Sequence, residues 1–380
     1  MAAKPQNKWY TIISKFEDSF VASSIEADTT EYFTFPSVSL NWALRGGIIH
    51  GKIATIYGPE SGGKTLLALL AIAELHKKDP KAWAIWFDAE MIFDESFVRY
   101  VKSLGVDVSR LWIVRDNTPS GIFDFFEKTV LPMVQDEKDP FPLKLAVIDS
   151  VKSIRSPKEM NTTSVEDALY SDLPQVIARG FKLLIKHLRR HKISLLAIQQ
   201  VTEEMDAVRK RMHIKWVVPG GRALKHFSDY MILVEKMEGA SSKIQDANLK
   251  TIQDKAIQVG HTVRCKVEKN RCGAPYLVAE FKLRYGVGLV DPAWEVGSLG
   301  LALGVVTKPT NVSYEFCGVK AKGEDAFFDK LREDEVLRNM LVEAINAVDI
   351  YAIKRDAASS TGISDLEEKA EVLDAKDEEV

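Results

Sequence analysis

The order of apolar and polar positions along the chain predicts a sheet covered by helices. Short unbroken apolar runs recur, as expected for strands that are buried on both faces of a parallel sheet. Longer stretches with helical spacing separate them. The predicted strands are 53–57, 82–87, 111–114, 143–148 and 193–199, and the predicted helices are 66–75, 94–104, 120–135 and 165–190. This alternation predicts an α/β fold with a mainly parallel central sheet, which binds ligands at the carboxyl ends of its strands.

The pattern changes after Gln200. Residues 201–221 are polar and basic without a sustained period, and Met237 to Gly260 is predicted to be a variable loop. Further strands are predicted at 231–235, 261–268 and 276–283, and a smaller unit with helices at 325–332 and 334–350 begins near Asp291. The predicted organisation is a short N-terminal segment, a large core, a small C-terminal α/β domain and an acidic disordered tail, at 1–36, 37–290, 291–356 and 357–380.

The composition indicates where the protein is located and argues against a disulfide framework or a zinc site. The chain has 380 residues, of which 46% are hydrophobic and 28% charged, which is typical of a globular protein with an ample core. No apolar run is long enough to span a bilayer and no leader is visible, so we expect an intracellular, cytoplasmic protein without a membrane partner. Cys265, Cys272 and Cys317 are too few and too irregularly spaced for a disulfide framework or a zinc site.

The net charge of −3 conceals an asymmetry between the body and its end. Residues 364–380 contain eight acidic residues and two lysines, so the remainder of the chain is slightly basic. An acidic tail on a basic body is a recurring arrangement in proteins that handle nucleic acid. It is equally typical of a tail that only solvates the protein. Charge alone leaves both interpretations open.

A glycine-bearing stretch lies between the first predicted strand and the first predicted helix. It reads Gly58-Pro59-Glu60-Ser61-Gly62-Gly63-Lys64-Thr65. Strand, glycine loop and helix in this order form a phosphate-binding loop, whose amides and helix N-terminus cradle a polyphosphate. In this role Lys64 would reach the β- and γ-phosphates of ATP and the Thr65 hydroxyl would bind Mg²⁺. An ordinary glycine turn is the alternative, and the full spacing favours the phosphate loop.

Three further strand ends carry side chains suited to nucleotide chemistry. Asp149 follows an apolar run and fits the carboxylate that orients Mg²⁺. Glu90 could polarise the water that attacks the γ-phosphate, although a helix-capping or salt-bridging carboxylate has the same spacing. Gln200 ends a third strand, where an amide can sense the γ-phosphate and pass its presence to the loop that follows.

The basic loop after Gln200 combines cations with apolar and aromatic side chains. The cations can bind backbone phosphates, and the apolar groups can stack on or wedge between the bases of a single-stranded nucleic acid. A solvated surface loop is the alternative. The candidate DNA-binding residues are Arg209, Lys210, Arg211, Met212, Lys215, Trp216, Gly220, Gly221 and Arg222.

Together these motifs resemble the RecA-type recombinases, in the order in which that family has them. Beyond the phosphate loop, the resemblance rests on Asp88-Ala89-Glu90, on Val147-Ile148-Asp149-Ser150, on Gly220-Gly221-Arg222-Ala223-Leu224-Lys225 and on Lys266-Val267-Glu268-Lys269-Asn270-Arg271. It extends from about Pro36 to Ile350, and the layout is most similar to the phage-encoded branch of the family. The resemblance thus implies the cytoplasm of a bacterial or phage-infected cell as the location. The resemblance implies a RecA-type P-loop ATPase core with an N-terminal oligomerisation segment.

The resemblance also implies roles for individual residues. Glu90 matches the glutamate that activates water, and Gln200 matches the γ-phosphate sensor. Residues 201–219 match the second DNA-binding loop, and Ser156 to about Ser171 match the first, although poorly in sequence. Lys269 and Arg271 match two cations that reach the ATP of a neighbouring subunit. The family usually has lysine at both positions, and an arginine keeps the charge but changes the geometry of the donors.

The expected function is a DNA-dependent ATPase that forms filaments with ATP and Mg²⁺ on single-stranded DNA. It would catalyse homologous pairing and strand exchange with duplex DNA, and single-strand-binding and mediator proteins are expected as further partners. A hexameric replicative helicase shares the core, but residues 1–36 are too short for the N-terminal domain that it normally needs. Intact Lys64, Glu90 and Asp149 argue against a non-catalytic switch.

Overall fold

A computed structural model describes residues 31–161, 172–203, 216–218, 222–250 and 256–348. The chain divides into two compact units, Met1–Val290 and Asp291–Val380. Outside the described residues lie most of the N-terminal segment, parts of both candidate DNA loops and the acidic tail.

Strands of the first unit form one large sheet and two short pairs. In chain order they are β1 (Tyr32–Phe33), β2 (Ile48–Ile49), β3 (Ile53–Gly58), β4 (Trp83–Asp88), β5 (Leu111–Val114), β6 (Leu143–Asp149), β7 (Ser194–Gln200), β8 (Thr202–Glu203), β9 (Trp216–Val217), β10 (Tyr230–Lys236), β11 (Lys243–Lys250), β12 (Ala256–Asn270), β13 (Leu277–Arg284) and β14 (Gly288–Val290). The ten-stranded sheet has the order β14-β13-β12-β10-β3-β7-β6-β4-β5, with β11 paired to β12. β1 pairs with β2, and β8 with β9.

The central sheet is parallel where the sequence predicts it to be. All strands from β5 to β10 in the sheet order run parallel, and the strands beyond β10 are antiparallel. Every residue of β3 is buried, as in a strand covered on both faces. The α/β fold with a mainly parallel sheet is therefore confirmed.

Helices of the first unit connect these strands and cover the sheet. They are α1 (Val38–Ala43), α2 (Lys64–Lys78), α3 (Glu95–Ser103), α4 (Leu131–Val134), α5 (Pro157–Asn161), α6 (Leu173–Arg190) and α7 (Arg222–Phe227). The residues before α4, from Ser120 to Val130, are also helical but more widely wound. The expected single helix 120–135 is thus divided, and Pro132, which lacks an amide donor, lies in the first turn of α4.

The prediction of a variable loop from Met237 to Gly260 is wrong. β11 and the first part of β12 occupy most of this stretch, with Lys243 opposite His261 and Ile244 opposite Gly260. The polar composition misled the sequence interpretation because β11, among the described strands, pairs with β12 alone and can expose polar side chains. The predicted strand 261–268 is correspondingly too short, since β12 begins at Ala256.

The second unit is a small α/β assembly. Its elements are α8 (Pro292–Ala302), β15 (Thr307–Thr310), β16 (Ser313–Phe316), β17 (Val319–Lys322), α9 (Glu324–Glu333) and α10 (Glu335–Asn346). The three strands form an antiparallel sheet, and Phe327, Phe328 and Leu341 are buried among the helices. A side chain at Gly297 would meet the Phe328 ring at 2.4 Å, so close packing of α8 requires glycine there.

Candidate nucleotide site and DNA loops

The phosphate loop joins β3 to α2, and its backbone requires glycine. A Cβ on Gly58 would lie 2.0 Å from the carbonyl oxygen of Val234 in the neighbouring strand β10. Gly63, with φ of 97°, ends the loop in the left-handed region, and α2 begins at the next residue. Strand, loop and helix N-terminus are therefore arranged as a polyphosphate requires.

Lys64 is folded back over the phosphate loop. Its ammonium donates to the carbonyl oxygens of Gly58 at 2.9 Å and of Pro59 at 2.6 Å. Only 7% of the residue is exposed, and this burial lowers the pKa of Lys64, against the opposing effect of the Asp149 charge. A polyphosphate in the loop would give the ammonium an anionic partner in place of the two carbonyls.

Thr65 and Asp149 bring two oxygen atoms together beside the loop. The Thr65 hydroxyl, on the first turn of α2, donates to Oδ2 of Asp149, at the end of β6, over 3.0 Å. Burial, with the nearby Glu90 charge adding to it, raises the pKa of Asp149 to about 7. A carboxylate that is costly to ionise in this position would be stabilised by a bound cation.

These two side chains fit a magnesium ion that is bound together with a nucleotide. Hydroxyl and carboxylate oxygens are hard ligands, and Mg²⁺ in such sites uses one or two protein ligands, with phosphates and water completing its shell. No group of three or more acidic, histidine or cysteine side chains suited to a metal occurs in the described part of the chain. That finding is compatible with a nucleotide-borne ion.

Glu90 and Gln200 meet at the same edge of the sheet. The Gln200 side-chain amide donates to Oε1 of Glu90 over 3.2 Å, and the Ser150 hydroxyl donates to the same oxygen over 2.6 Å. Asp88 fixes the backbone that follows Glu90 by accepting from the amides of Ile92 and Phe93, each at 3.0 Å. Glu90 therefore has a defined orientation.

One cavity of about 460 Å³ contains these groups. Lys64, Thr65, Glu90, Asp149 and Gln200 all line it, as do Glu60, Ser61 and Gly63 of the loop. The sequence interpretation missed six lining residues: the aliphatic Leu66 and Ile198, and four that carry rings, Phe97, Tyr100, His261 and Tyr285.

The four missed residues that carry rings give the cavity an aromatic wall. Phe97 and Tyr100 are both on α3, and Tyr285 lies just after β13, where His261 Nδ1 is 3.1 Å from its hydroxyl. Aromatic side chains beside a polyphosphate site suit the face of a nucleobase. In the sequence, such residues look like ordinary core residues, because they lie in segments that are far apart in the chain. Only the fold brings them together around the cavity.

The ends of the second candidate DNA loop are joined as a short hairpin stem. β8 pairs with β9 immediately after Gln200, and the Trp216 indole donates to Oε1 of Glu235 over 2.6 Å. Trp216 also packs on the cluster that contains Tyr57 of β3. Trp216 is thus held by the sheet at the base of the loop.

The candidate DNA-binding residues other than Trp216 and Arg222 lie outside the described residues. Arg222 begins α7, and the residues outside the described part are Arg209, Lys210, Arg211, Met212, Lys215, Gly220 and Gly221.

Lys269 and Arg271 lie away from the cavity of their own chain, against the C-terminal end of α7. Lys269 Nζ donates to the carbonyl oxygens of Lys225 and Ser228, both at 2.6 Å. Arg271 donates to the carbonyl of His226 at 2.8 Å and lies 3.4 Å from Oδ1 of Asp229. Arg271 therefore has an acidic partner in its own chain, Asp229, in addition to a backbone carbonyl.

Asp229 escaped the sequence interpretation because it is distant in the chain and precedes β10. It is 1% exposed and also lies 3.3 Å from Arg189 and accepts from the Ile53 amide. Burial next to two guanidinium groups makes it a structural carboxylate. Both cations nevertheless donate to backbone carbonyl oxygens at or just after the C-terminal end of α7.

The fold and the cavity together define a P-loop nucleotide-binding ATPase. A model of the family described as RecA N-terminal domain matches residues 13–290, which is most of the chain. The chain belongs to the RecA family. It is accordingly an ATP-dependent recombinase and a DNA-dependent ATPase that binds nucleotide and DNA and oligomerises.

Curated relatives cover most of the chain. One relative named Protein RecA, from Bacteroides thetaiotaomicron, is 28% identical over 346 residues, which are 88% of this chain and 96% of the relative. Another, from Aquifex pyrophilus, is 30% identical over 305 residues, 78% of each chain. A third, from Bartonella bacilliformis, is 31% identical over 277 residues, 72% of this chain and 70% of the relative.

No helix in the described ranges combines the length and apolar character needed to cross a membrane.

Proposed function

We propose that this protein assembles with ATP into a helical filament on single-stranded DNA and catalyses homologous pairing and strand exchange with duplex DNA. The observation that carries the proposal is the convergence of Lys64, Glu90, Asp149 and Gln200 on one cavity, next to the stem of a loop. Because Gln200 lines the phosphate cavity and leads directly into the loop stem, a bound nucleotide can control whether the loop binds DNA.

Within the cavity the roles are divided among the residues. The loop amides and Lys64 would hold the phosphates, and Phe97, Tyr100 and Tyr285 would contact the base. Thr65 and Asp149 would hold Mg²⁺, which when bound supplies charge neutralisation at the β- and γ-phosphates. Glu90, held by Ser150 and Gln200, would orient and deprotonate the attacking water.

Gln200 connects this chemistry to the second DNA loop. Its amide contacts Glu90 and the cavity, and β8 begins two residues later. A γ-phosphate would compete for the amide, so nucleotide binding and release would change the position of the stem. The cations and apolar groups of residues 201–222 would then bind phosphates and unstacked bases of a single strand.

Lys269 and Arg271 would act on the ATP of the neighbouring subunit. Their present partners are mainly backbone carbonyls, with Asp229 shared between two arginines. A γ-phosphate is a stronger partner for such cations than a carbonyl oxygen. ATP would then bridge two protomers, and its hydrolysis would weaken the assembly.

We extend the proposal to the organisation of the whole chain. Residues 1–36 would dock on the next protomer, 37–290 form the ATPase core, 291–356 a small accessory domain, and 357–380 an acidic tail that modulates DNA access. Single-strand-binding and mediator proteins would be further partners, and DNA as substrate implies a cytoplasmic location.

Electron microscopy with a non-hydrolysable ATP analogue and single-stranded DNA tests this proposal. We expect continuous helical filaments that disappear when the nucleotide is omitted. Closed rings under the same conditions would instead indicate a hexameric helicase and contradict the proposal.

A further inference from the structure

Oxygen Oε1 of Glu90 lies within hydrogen-bond distance of three side chains that can donate to it. They are the Ser150 hydroxyl at 2.6 Å, the Gln200 amide at 3.2 Å and the Ser153 hydroxyl at 3.5 Å. The roles proposed above explain Gln200, which lines the cavity. Neither serine is among the lining residues that the structure describes, so the two hydroxyls reach the chemistry only through Glu90.

The two serines form a directed chain of hydrogen bonds. A hydroxyl has a single proton to donate, and that of Ser150 goes to the Glu90 carboxylate. The two Oγ atoms are 3.0 Å apart, so Ser153 is the donor in the contact between them. Ser150 is fully buried, which prevents solvent from taking its place. Ser153 therefore acts on Glu90 mainly through Ser150.

The backbone around Ser153 connects this chain to the first candidate DNA loop. Ser153 ends a short 3₁₀ turn, Val151–Ser153, and both Val151 at the start of the turn and Ile154 directly after it are 1% exposed. These two side chains anchor the turn in the core, and Ile154 connects Ser153 directly to the chain that enters the candidate loop.

Ser156 begins the candidate loop only three residues later. Its amide donates to Oε2 of Glu159 at 2.8 Å, and its hydroxyl accepts from the Glu159 amide at 3.2 Å. This reciprocal pair is a capping box, which makes the start of α5 a rigid entry to the loop. A displacement of the loop by DNA would thus be passed back to the turn that carries Ser153.

We propose that Ser150 and Ser153 are positioning residues for ATP hydrolysis, which couple the first candidate DNA loop to Glu90 through their hydrogen-bonded hydroxyls. This inference rests on the proposed role of Glu90. The second loop reaches the same carboxylate oxygen through Gln200, so each candidate DNA loop has its own route to the base. Hydrolysis then responds to DNA at both loops.

The coupling predicts a specific kinetic signature. Neither serine is among the described residues that line the cavity, so their removal should leave the binding of ATP intact and lower only the rate of the chemical step. Loss of a hydrogen bond to a charged group corresponds to a change of about tenfold in rate. Ser153→Ala should therefore lower the DNA-stimulated kcat by about fivefold to tenfold. KM for ATP should change by no more than about twofold.

The measurement is steady-state ATP hydrolysis by the full-length protein, with and without saturating single-stranded DNA. Ser153→Ala should reduce the ratio of the two rates, and Ser153→Thr, which keeps a hydroxyl, should restore it. Ser120→Ala is the matched control, because its hydroxyl also donates to a carboxylate, that of Asp124 at 3.0 Å, on an exposed surface outside the cavity. This control should have the ratio of the unmodified protein.

A double variant tests the direction of the chain. If Ser153 acts through Ser150, adding Ser153→Ala to Ser150→Ala should lower the rate no further. Thermal unfolding and binding of a fluorescent ATP analogue check that each variant is folded. An unchanged ratio for folded Ser153→Ala, additive losses in the double variant, or failure of Ser153→Thr to restore the ratio would each overturn the inference.

Glu90→Gln separates this inference from the proposed function. Hydrolysis that survives in Glu90→Gln would refute the proposed role of Glu90, and the inference with it. Hydrolysis that is lost in Glu90→Gln, while Ser153→Ala keeps normal DNA stimulation, would refute the serine coupling alone.

Discussion

Lys64 is a buried cation whose hydrogen-bond partners are neutral oxygen atoms. Its partners are the two carbonyl oxygens of Gly58 and Pro59, and its burial disfavours the charged form. A bound polyphosphate would remove this cost and gain charge-assisted hydrogen bonds. The side chain is thus arranged to favour the nucleotide-bound state.

Replacing Lys64 by alanine should therefore abolish most ATP turnover. We expect a loss of about 100-fold or more, the scale found when a preorganised charge-stabilising group is removed. The measurement is phosphate release in the presence of single-stranded DNA. Lys77→Ala, an exposed lysine in the last turn of the same helix α2, is the control and should retain full turnover. Normal turnover in Lys64→Ala would remove Lys64 from the site.

Glu90→Gln should separate hydrolysis from DNA binding. Glutamine keeps the size of the side chain and an acceptor for Ser150, but it cannot take a proton from water. We expect turnover to fall by about 100-fold or more, since general-base catalysis contributes on that scale. ATP-dependent binding to labelled single-stranded DNA should persist or last longer. Equal loss of both activities would make Glu90 a structural residue.

Helix α2 contains a buried histidine near its C-terminal end. His76 is 4% exposed, its Nδ1 accepts from the Asp107 amide at 3.3 Å, and its Nε2 has no partner among the described groups. Burial, together with the charge of Arg110, lowers the pKa of His76 to about 4. Protonation of this imidazole is therefore unfavourable in the folded protein.

The packing of α2 should make stability depend on pH in a defined direction. Because the unfolded chain binds this proton at a higher pH, near 6.5, stability from His76 is complete above pH 6.5 and is lost as pH falls towards 4. His76→Gln keeps an acceptor for Asp107 but does not titrate. Its stability relative to the unmodified protein should rise by roughly 2 kcal/mol between pH 7 and pH 4.5, measured by urea unfolding. A constant difference across this range would contradict the assignment.

The elements differ in how far the sequence could predict them. β6 and β7 were recognisable because strands buried on both faces are unbroken apolar runs. β11 was not, since a strand paired on one side needs no apolar pattern, and its partner β12 is defined only by the fold. The sequence therefore predicted the strands that are buried on both faces, but it did not predict the polar strand β11.

The candidate site was predictable to the same extent. Lys64, Thr65 and Asp149 belong to motifs whose spacing is local, so their meeting at one edge followed from a parallel sheet. The contacts of Tyr285 with the cavity and of Asp229 with Arg271 join segments that are distant in the chain. No local pattern encodes such contacts.

At the scale of the whole molecule, Lys269 and Arg271 distinguish an assembly from an isolated ATPase. Replacing both by alanine should leave ATP binding to the monomer intact, because neither lines the cavity of its own chain within the described residues. Folding should also be retained, since Asp229 keeps Arg189 as a partner. DNA-stimulated hydrolysis should fall by about 100-fold if these cations stabilise the charge that develops on a neighbour's phosphates.

Mixing this double variant with Lys64→Ala tests whether sites are shared between protomers. Mixed assemblies contain interfaces with an intact phosphate loop on one side and intact cations on the other. Hydrolysis should recover partly in the mixture and be absent in each variant alone. No recovery, in mixtures shown by labelled subunits to co-assemble, would contradict action across the interface.

ATP-dependent DNA strand exchange tests the central claim most directly. Circular single-stranded DNA, a homologous linear duplex and the protein should yield joint molecules when ATP and Mg²⁺ are present. We expect none with Lys64→Ala, none without nucleotide and none with a heterologous duplex. Joint molecules that form independently of ATP, or unwinding of the duplex without homologous pairing, would contradict the account.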